Sequence, residues 1–199
     1  YDVNGTWDPT NYTDRQKELI GQKASISSLQ LALSGGNAET QYLMSGTWRD
    51  ETTVFKGDAH YAKGAVHSSI THRSINEKFK LQFSADYSND LNQLPVTDFT
   101  RMAYTLAPNA PALYDDKGNL NWENGTFENP LANLIGTYST NTQNLIANTL
   151  LSYKLGSGFE IKSSFGYTDT RLSETRTRPN TMYNPIYEVT TALSRLVLN

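Results

Sequence analysis

The sequence predicts an all-β fold in which antiparallel strands follow one another up and down a single sheet. Three observations carry this prediction: strictly alternating apolar and polar residues, connections that are alternately short and long, and a composition rich in tyrosine. Only 37% of the residues are hydrophobic, whereas 11% are aromatic and 12 are tyrosine. This balance suits strands with one wet face, since only every second side chain then needs to be apolar.

The strands are predicted in chain order from runs in which apolar residues recur with a period of two. The clearest run is 78–90, where Phe79, Leu81, Phe83 and Tyr87 alternate with polar residues. The same alternation recurs in 159–172 and, more loosely, in 144–155. Four further runs follow this pattern less strictly. The full set of predicted strands is 25–34, 39–50, 62–73, 78–90, 144–155, 159–172 and 190–199.

The connections between these strands fall into two sizes that alternate along the chain. In an up-and-down sheet every second connection lies at the same edge, so all short turns share one edge and all long loops share the other. That asymmetry is typical of bacterial outer-membrane β-barrels. The short connections are Gly35–Ala38, Asn76–Glu77 and Gly156–Gly158, and the long ones lie around 50–61, 91–143 and 173–189.

Aromatic residues lie near both ends of the apolar face of the predicted strands. Phe79 and Tyr87, like Phe159 and Tyr167, are eight positions apart. That spacing is about 26 Å along a strand, or roughly 20 Å when the strand is tilted, close to the ~25 Å apolar band of outer-membrane barrels. The residues predicted to face lipid are Phe79, Leu81, Phe83, Tyr87, Leu151, Tyr153, Phe159, Ile161, Phe165 and Tyr167.

The predicted fold class is therefore an antiparallel up-and-down transmembrane β-barrel, present in part, with about six to seven strands and long extracellular loops. On this interpretation the alternate, polar side chains form the wet inner wall of the barrel. These inward-facing residues are Lys78, Lys80, Gln82, Asp86, Glu160 and Lys162. A soluble β-sandwich that binds glycans through exposed aromatics is the alternative, because its strands alternate as well.

Composition and charge exclude several classes of protein. The net charge of −3 argues against a nucleic-acid partner, which would require a basic patch. There is no cysteine, and hence no disulfide framework or thiolate metal site. No run approaches the ~20 consecutive apolar residues of a membrane helix, and Tyr1 onward does not read as a signal peptide. A helical membrane protein is therefore not expected.

No catalytic, cofactor-binding or metal-binding residue is predicted, and the chain is not expected to be an enzyme. The only histidines are His60, His67 and His72, and the last two point to opposite faces of a strand. The segment 114–119 clusters oxygens around a glycine but lacks the acidic spacing of a calcium loop, so it is interpreted as a polar turn. Nucleophile-elbow, phosphate-loop, dinucleotide and HExxH motifs are all missing from the sequence.

The long connection 91–143 is the predicted place of ligand contact, because loops of this length are usually functional or disordered. A short helix is predicted within 96–106, before Pro108. Aromatic side chains could stack on sugar rings or peptide side chains, or instead pack the loop onto itself or onto a partner. The candidate contact residues are Tyr104, Tyr114, Trp122, Phe127 and Tyr138.

Several short motifs, in this order, resemble the SusC/RagA family of TonB-linked outer-membrane proteins. Residues 13–21 resemble the acidic lead-in to a barrel strand, and 29–46 (LQLALSGGNAETQYLMSG) is similar to a family hairpin. Residues 128–132 (ENPLA) match an element of the family's long outer loop, and 190–199 resembles the opening of a further strand. The likeness covers essentially the whole chain.

The resemblance implies a transporter in the bacterial outer membrane that imports glycans or peptides together with a SusD-like lipoprotein. It also implies a plug domain through which TonB energises transport, and neither the plug nor most of the barrel is visible in this sequence. Residues 1–24 are then an extracellular loop and lead-in, and 25–199 are part of the barrel embedded in outer-membrane lipid. The chain is accordingly expected to be a piece of a longer polypeptide.

Overall fold

Seven strands form one antiparallel sheet, and their order in the sheet is their order in the sequence. The computed structural model describes residues 4–156 and 158–198. The predicted all-β, antiparallel, up-and-down arrangement is confirmed, and the sheet is open, with β1 and β7 at its two edges. The strands are β1 (Ile26–Gly36), β2 (Thr40–Thr52), β3 (His60–Arg73), β4 (Phe79–Asn92), β5 (Thr137–Gly156), β6 (Phe159–Arg178) and β7 (Leu193–Leu198).

Each predicted strand corresponds to an observed one, but β5 and β6 extend well beyond their predicted ends, and β7 begins at Leu193, three residues after its predicted start. β5 and β6 each have 20 residues, so β5 begins at Thr137 and β6 ends at Arg178. Their added ends are polar on both faces, and therefore lack the apolar alternation that reveals a strand. The backbone ladder does not need that alternation, and threonine favours strands. The long loop shortens in consequence to 93–136.

Short and long connections alternate along the chain as predicted. The short turns 37–39 and 74–78, and the connection that ends at Gly158, lie at one edge of the strands, hereafter the turn edge. The long connections 53–59, 93–136 and 179–192 lie at the opposite loop edge, where the segment before β1 also arrives. Residues 1–3, Ser157 and Asn199, which belong to the predicted lead-in, turn and last strand, lie outside the described residues.

The turn between β1 and β2 requires a glycine at position 36. Gly36 has a φ of 140°, and a Cβ there would run into the backbone of Thr40. The Asn37 side chain then accepts hydrogen bonds from the backbone nitrogens of Glu39 at 3.0 Å and Thr40 at 2.7 Å. Such a side chain mimics a backbone turn and fixes the register of the hairpin.

The loop cap consists of residues 4–25, 53–59, 93–136 and 179–192. Its two helices are α1 (Arg15–Ile20) and α2 (Thr100–Thr105). α1 begins after Asp14, whose side chain accepts a hydrogen bond from the backbone nitrogen of Lys17 at 3.0 Å, as an N-cap should. The helix predicted within 96–106 is present, but it is limited to Thr100–Thr105.

The hydrophobic core lies in the loop cap and not on the sheet. Among the described residues, every buried hydrophobic side chain belongs to the cap, and strand side chains are at most half-buried. No second layer therefore covers either face of the sheet in the described part of the chain. The buried hydrophobic residues are Leu19, Phe99, Ala103, Ala110, Leu113, Phe127, Leu131 and Ala132.

Candidate functional site

The alternation of side chains divides the sheet into an apolar face and a polar face. The strand register puts all ten residues of the predicted lipid-facing set on the apolar face: Phe79, Leu81, Phe83, Tyr87, Leu151, Tyr153, Phe159, Ile161, Phe165 and Tyr167. Apolar residues of β1 to β3 extend this face: Leu29, Leu31, Leu33, Tyr42, Met44, Trp48, Val66 and Ile70. Many are well exposed, with Leu31 at 67% and Phe159 at 72%.

Acidic and basic side chains on the apolar face are confined to the loop-edge half of the strands. In the described strands, the acidic and basic residues on this face are Asp50, Asp169 and Arg171, and the last two form an ion pair at 3.0 Å. His72 lies at the turn-edge end, where its Nδ1 is 2.7 Å from the Thr40 hydroxyl. The apolar side chains between the charged residues and the turn edge form a continuous band, hereafter the apolar stripe.

The apolar stripe crosses the strands obliquely. Its middle on β1 is Leu31, which the pairing register places in the same row as Asp169 on β6. The middle of the β6 stripe is Ser163, so the stripe shifts toward the turn edge by about 20 Å across roughly 24 Å of sheet. The strands are thus tilted by about 40° from the normal to the stripe, within the ~35–45° of membrane β-barrels.

The polar face carries most of the charge of the strands. Lys80, Gln82, Asp86, Glu160 and Lys162, predicted to face inward, all lie on it, whereas Lys78 precedes the first residue of β4. Asp86 is 2.6 Å from Nδ1 of His67, and Glu160 is 3.1 Å from Lys162. His67 and His72 lie on opposite faces, as predicted. Scattered aliphatic residues, such as Leu150, also stand on the polar face.

Two buried polar side chains hold the loop cap together. Arg15 of α1 is 3% exposed, donates from Nη2 to the carbonyls of Ala110 and Pro111, and pairs with Glu18 at 2.7 Å. Arg15 therefore fastens the segment before β1 to the long loop 93–136. No sequence pattern predicts this contact, because its partners are backbone carbonyls far along the chain.

Asn129 organises the second half of the long loop. It is 3% exposed and donates from Nδ2 to the carbonyls of Leu113 at 2.6 Å and Asn121 at 3.0 Å. Its Oδ1 accepts from the backbone nitrogen of Leu131 at 3.0 Å and so caps the 3-10 turn Pro130–Leu134. Both the Nδ2 and the Oδ1 of Asn129 therefore bond to backbone groups, and these bonds hold three parts of the loop together.

Glu128 joins the loop 179–192 to the loop 93–136. Its Oε1 accepts from the Tyr187 hydroxyl at 2.8 Å and from Nδ2 of Asn184 at 3.3 Å. Asn184 is 2% exposed, and Ile186 lies against Gly125, where an added Cβ would approach its side chain to 2.8 Å. The hydrogen bond to Glu128 and its negative charge raise the pKa of Tyr187. These contacts are hereafter the loop clasp.

The five aromatic residues considered for ligand contact have different surroundings. Tyr104 is 66% exposed, and Tyr114 is partly exposed with Nζ of Lys56 5.1 Å from its ring centroid. Trp122 is half-buried. Phe127 is buried and meets the Trp7 ring edge-on at 6.0 Å, so it packs the cap interior and offers no surface to a ligand. Tyr138 stands on the polar face of β5.

A cleft of about 430 Å³ opens at the loop edge between the cap and the strands. Tyr138 lines it together with Lys56, Asp58 and Pro95. This volume falls within the range of small-molecule sites. It therefore brings one of the predicted contact residues to a concave surface at the loop edge.

The segment 114–119 forms the predicted polar turn. Oδ1 of Asp115 accepts hydrogen bonds from the backbone nitrogens of Lys117 at 2.9 Å and Asn119 at 2.8 Å. Gly118 has a φ of 81°, which the turn requires. The Asn119 side chain and these backbone donors lower the pKa of Asp115. The carboxylate is thus already engaged by its own turn.

Comparison with known proteins adds no assignment to these surfaces. No protein-family model matches the chain, and no curated protein matches its sequence. Within residues 4–156 and 158–198, no helix is long and apolar enough to cross a membrane. The same described residues contain no group of three or more histidine, aspartate or glutamate side chains placed to hold a metal ion.

Proposed function

We propose that this chain supplies wall strands and outer loops to a β-barrel in the bacterial outer membrane. On this proposal the barrel is a TonB-dependent, SusC-like transporter that imports glycans or peptides together with a SusD-like lipoprotein. The apolar stripe faces lipid, the polar face lines the interior, and the loop cap stands outside the cell.

The exposed apolar stripe is the observation that carries the proposal. It extends over six neighbouring strands, from β1 to β6, and nothing in the described residues covers it. Soluble monomers rarely expose contiguous apolar patches larger than a few hundred Å². Lipid is a solvent in which such a face is stable, and the tilt of the stripe suits strands that cross a bilayer obliquely.

The connections support the same orientation. Short turns at one edge and long, structured loops at the other are typical of outer-membrane barrels, whose periplasmic turns are short. The unpaired backbone at β1 and β7 would cost several kcal/mol for each group left in lipid. Further strands that close the barrel would satisfy those groups.

The family part of the proposal rests on the motifs quoted above and on where they fall. Residues 29–46 form the β1–β2 hairpin with its Gly36–Asn37 turn. Residues 128–132 include Asn129, Pro130 and Leu131, which are buried where the long loop is fixed. Motifs at such structurally demanding positions are what shared family architecture would preserve.

The β-sandwich alternative requires a second sheet packed on the first. Two sheets of a sandwich lie about 10 Å apart and bury their facing side chains. In the described part of the chain the apolar stripe has no such partner, and the buried residues belong to the loop cap. The geometry therefore favours the barrel over the sandwich.

Fractionation of the native full-length polypeptide tests the proposal. We expect it in the outer-membrane fraction, soluble only in detergent, with electrophoretic mobility that changes on heating as a folded barrel unfolds. A polypeptide that is monomeric and soluble without detergent would contradict the proposal and favour the sandwich.

Two adjacent leucines provide a matched pair of variants. Leu151 lies in the apolar stripe and Leu150 on the polar face. Leu151→Arg should destabilise the inserted barrel by about 2–4 kcal/mol, because it puts a charge in lipid. Leu150→Arg should be tolerated, since its charge meets the wet interior. The measurement is the folded fraction in the outer membrane, and equal insertion of the two variants would overturn the assigned orientation.

A further inference from the structure

Three arginines converge at the loop-edge end of the polar face. Arg176 of β6 lies directly opposite Arg195 of β7, and Arg178 stands two residues further along β6, on the same face. Side chains directly opposite in an antiparallel pair have Cβ atoms roughly 5 Å apart, and like charges at such positions destabilise the sheet. This pairing opposes stability and therefore calls for a compensating partner.

No compensating carboxylate is found within the described residues. Arg15, Arg49, Arg73 and Arg171 each pair with a glutamate or aspartate. The three arginines at the loop edge form no such ion pair with any described residue, and Nε of Arg176 is shielded from solvent without a hydrogen-bond partner.

The nearest acidic side chain on this face is directed elsewhere. Glu174 lies one step toward the turn edge on β6, and its Oε2 is 3.5 Å from the Tyr138 hydroxyl. Tyr138 is opposite Arg176 on the β5 side and lines the loop-edge cleft. Three arginines and Tyr138 thus occupy neighbouring register positions at the loop-edge end of the polar face.

We propose that Arg176, Arg178 and Arg195, with Tyr138, bind an oxyanion group, a carboxylate or a sulfate, on a solute that enters from the loop edge. Guanidinium groups present paired donors that match the two oxygens of such a group. The tyrosine ring offers a surface on which a sugar or peptide side chain stacks. The site rests on the proposed transport function and narrows its substrate class to anionic glycans or acidic peptides.

The test uses the full-length polypeptide in detergent without lipopolysaccharide, so that no lipid phosphate supplies the anion. Galactose 6-sulfate is the probe and galactose the uncharged reference, with binding measured by calorimetry. Arg176→Gln combined with Arg195→Gln should weaken binding of the sulfated sugar by about tenfold or more, because two charge-assisted contacts are lost. Galactose should bind weakly to both proteins.

Arg49→Gln is the matched control. Arg49 lies on the same face, at the same edge, but four strands away from β6, and it is already paired with Glu51 at 2.5 Å. The Arg49→Gln variant removes one positive charge from the same face. Because Arg49 is far from the proposed site, this variant should leave binding of galactose 6-sulfate unchanged. Equal weakening by Arg49→Gln, or unaltered binding by the double variant, would overturn the site.

Thermal unfolding gives a second readout that a purely structural role would not produce. Without anion, Arg195→Gln should raise the unfolding temperature, because it removes the repulsion with Arg176. Galactose 6-sulfate should stabilise the unchanged protein more than this variant, since stabilisation by a ligand falls as its affinity falls. A lower unfolding temperature in the variant without anion would contradict the proposal.

The two proposals fail separately. If the polypeptide is soluble and still binds galactose 6-sulfate through these arginines, the transport function fails and the anion site stands. If it inserts in the outer membrane and the arginine variants bind as before, the anion site alone fails.

Discussion

Single polar side chains determine the shape of the loop cap. Asn129 satisfies three backbone groups at once, and Arg15 bonds to two carbonyls of the long loop. Buried backbone groups without partners are costly, so irregular chain must find side chains that replace the missing ladder. In a segment of this length without a sheet or long helix of its own, these residues take the role that backbone pairing has in the strands.

Replacing Asn129 tests this role. Asn129→Leu keeps the volume approximately but leaves the Asn121 carbonyl and the Leu131 nitrogen without their hydrogen-bond partner. We expect the opening free energy of the cap to fall by about 1–3 kcal/mol, measured by hydrogen exchange at residues 113–131. Asn133→Ala is the control, because its amide makes a single bond, to the Pro130 carbonyl at 3.2 Å, and is half-buried. Equal effects of both variants would argue against Asn129 as the organising residue.

At the scale of elements, the long loops pack against one another and are joined by side-chain contacts. The ring centroids of Phe55, in the 53–59 loop, and Phe99 are 5.6 Å apart. The loop clasp joins 179–192 to 93–136. Each long connection of the sheet therefore packs on another long connection. Such mutual packing lets loops hold a defined surface without covering the sheet below them.

The loop clasp predicts a localised response to mutation. Glu128→Ala removes the acceptor for Tyr187 and Asn184, so hydrogen exchange should become faster at residues 184–188. Glu123→Ala is the matched control, because Glu123 accepts only from Asn121, at 3.3 Å, on the surface. Slow exchange that persists at 184–188 in Glu128→Ala would show that the side-chain bonds do not hold this loop.

The clasp also predicts a dependence on alkaline pH. The pKa of Tyr187 is raised in the folded protein by its hydrogen bond to Glu128. Stability from a raised pKa is fully present below the unfolded value of 10.0 and is lost as the pH rises through the folded value. Protection factors at 184–188, which remove the base-catalysed rise of intrinsic exchange, should therefore fall above about pH 10. In Tyr187→Phe, which lacks the titrating hydroxyl, this fall should disappear.

At the scale of the whole molecule, the tilt of the apolar stripe predicts how the proposed barrel wall lies in a bilayer. Leu29 and Arg171 lie in one row of the register, yet one is apolar and the other is paired with Asp169. If the stripe follows the hydrocarbon layer, strands tilted by about 40° put these two positions roughly 15 Å apart in depth. Arg171 on β6 then lies outside the hydrocarbon layer, whereas Leu29 on β1, in the same row of the register, lies within it.

Spin labels measure that depth directly. Labels at Leu29→Cys and Arg171→Cys in reconstituted vesicles should differ, with oxygen relaxing the first and a water-soluble nickel chelate relaxing the second. Tyr167→Cys, on the same strand as Arg171 but within the stripe, is the reference and should resemble Leu29→Cys. Equal depths for the labels at 29 and 171 would contradict the tilt.

The strands and the division of their faces could be predicted from the sequence because both depend on local geometry. Successive side chains of a strand point to opposite faces, so the alternation from Phe79 to Tyr87 specifies which residues share a surface. The ends of β5 and β6 could not be predicted in this way, because both of their faces are polar, with Thr137 and Thr177 on one and Thr140 and Glu174 on the other. The ligand-contact role of Tyr104, Tyr114, Trp122 and Tyr138 stays a prediction.

The sequence by itself determined the number of strands, their order of short and long connections and the residues of the apolar face. Only the tertiary structure decided which loop residues are buried, as Phe127 is, and which side chains meet across strands, as Arg176 and Arg195 do. The physical reason is the range of the interactions. Alternation is set by neighbours two positions apart, whereas burial in the cap and the β6–β7 register depend on contacts that loops bring together from distant parts of the chain.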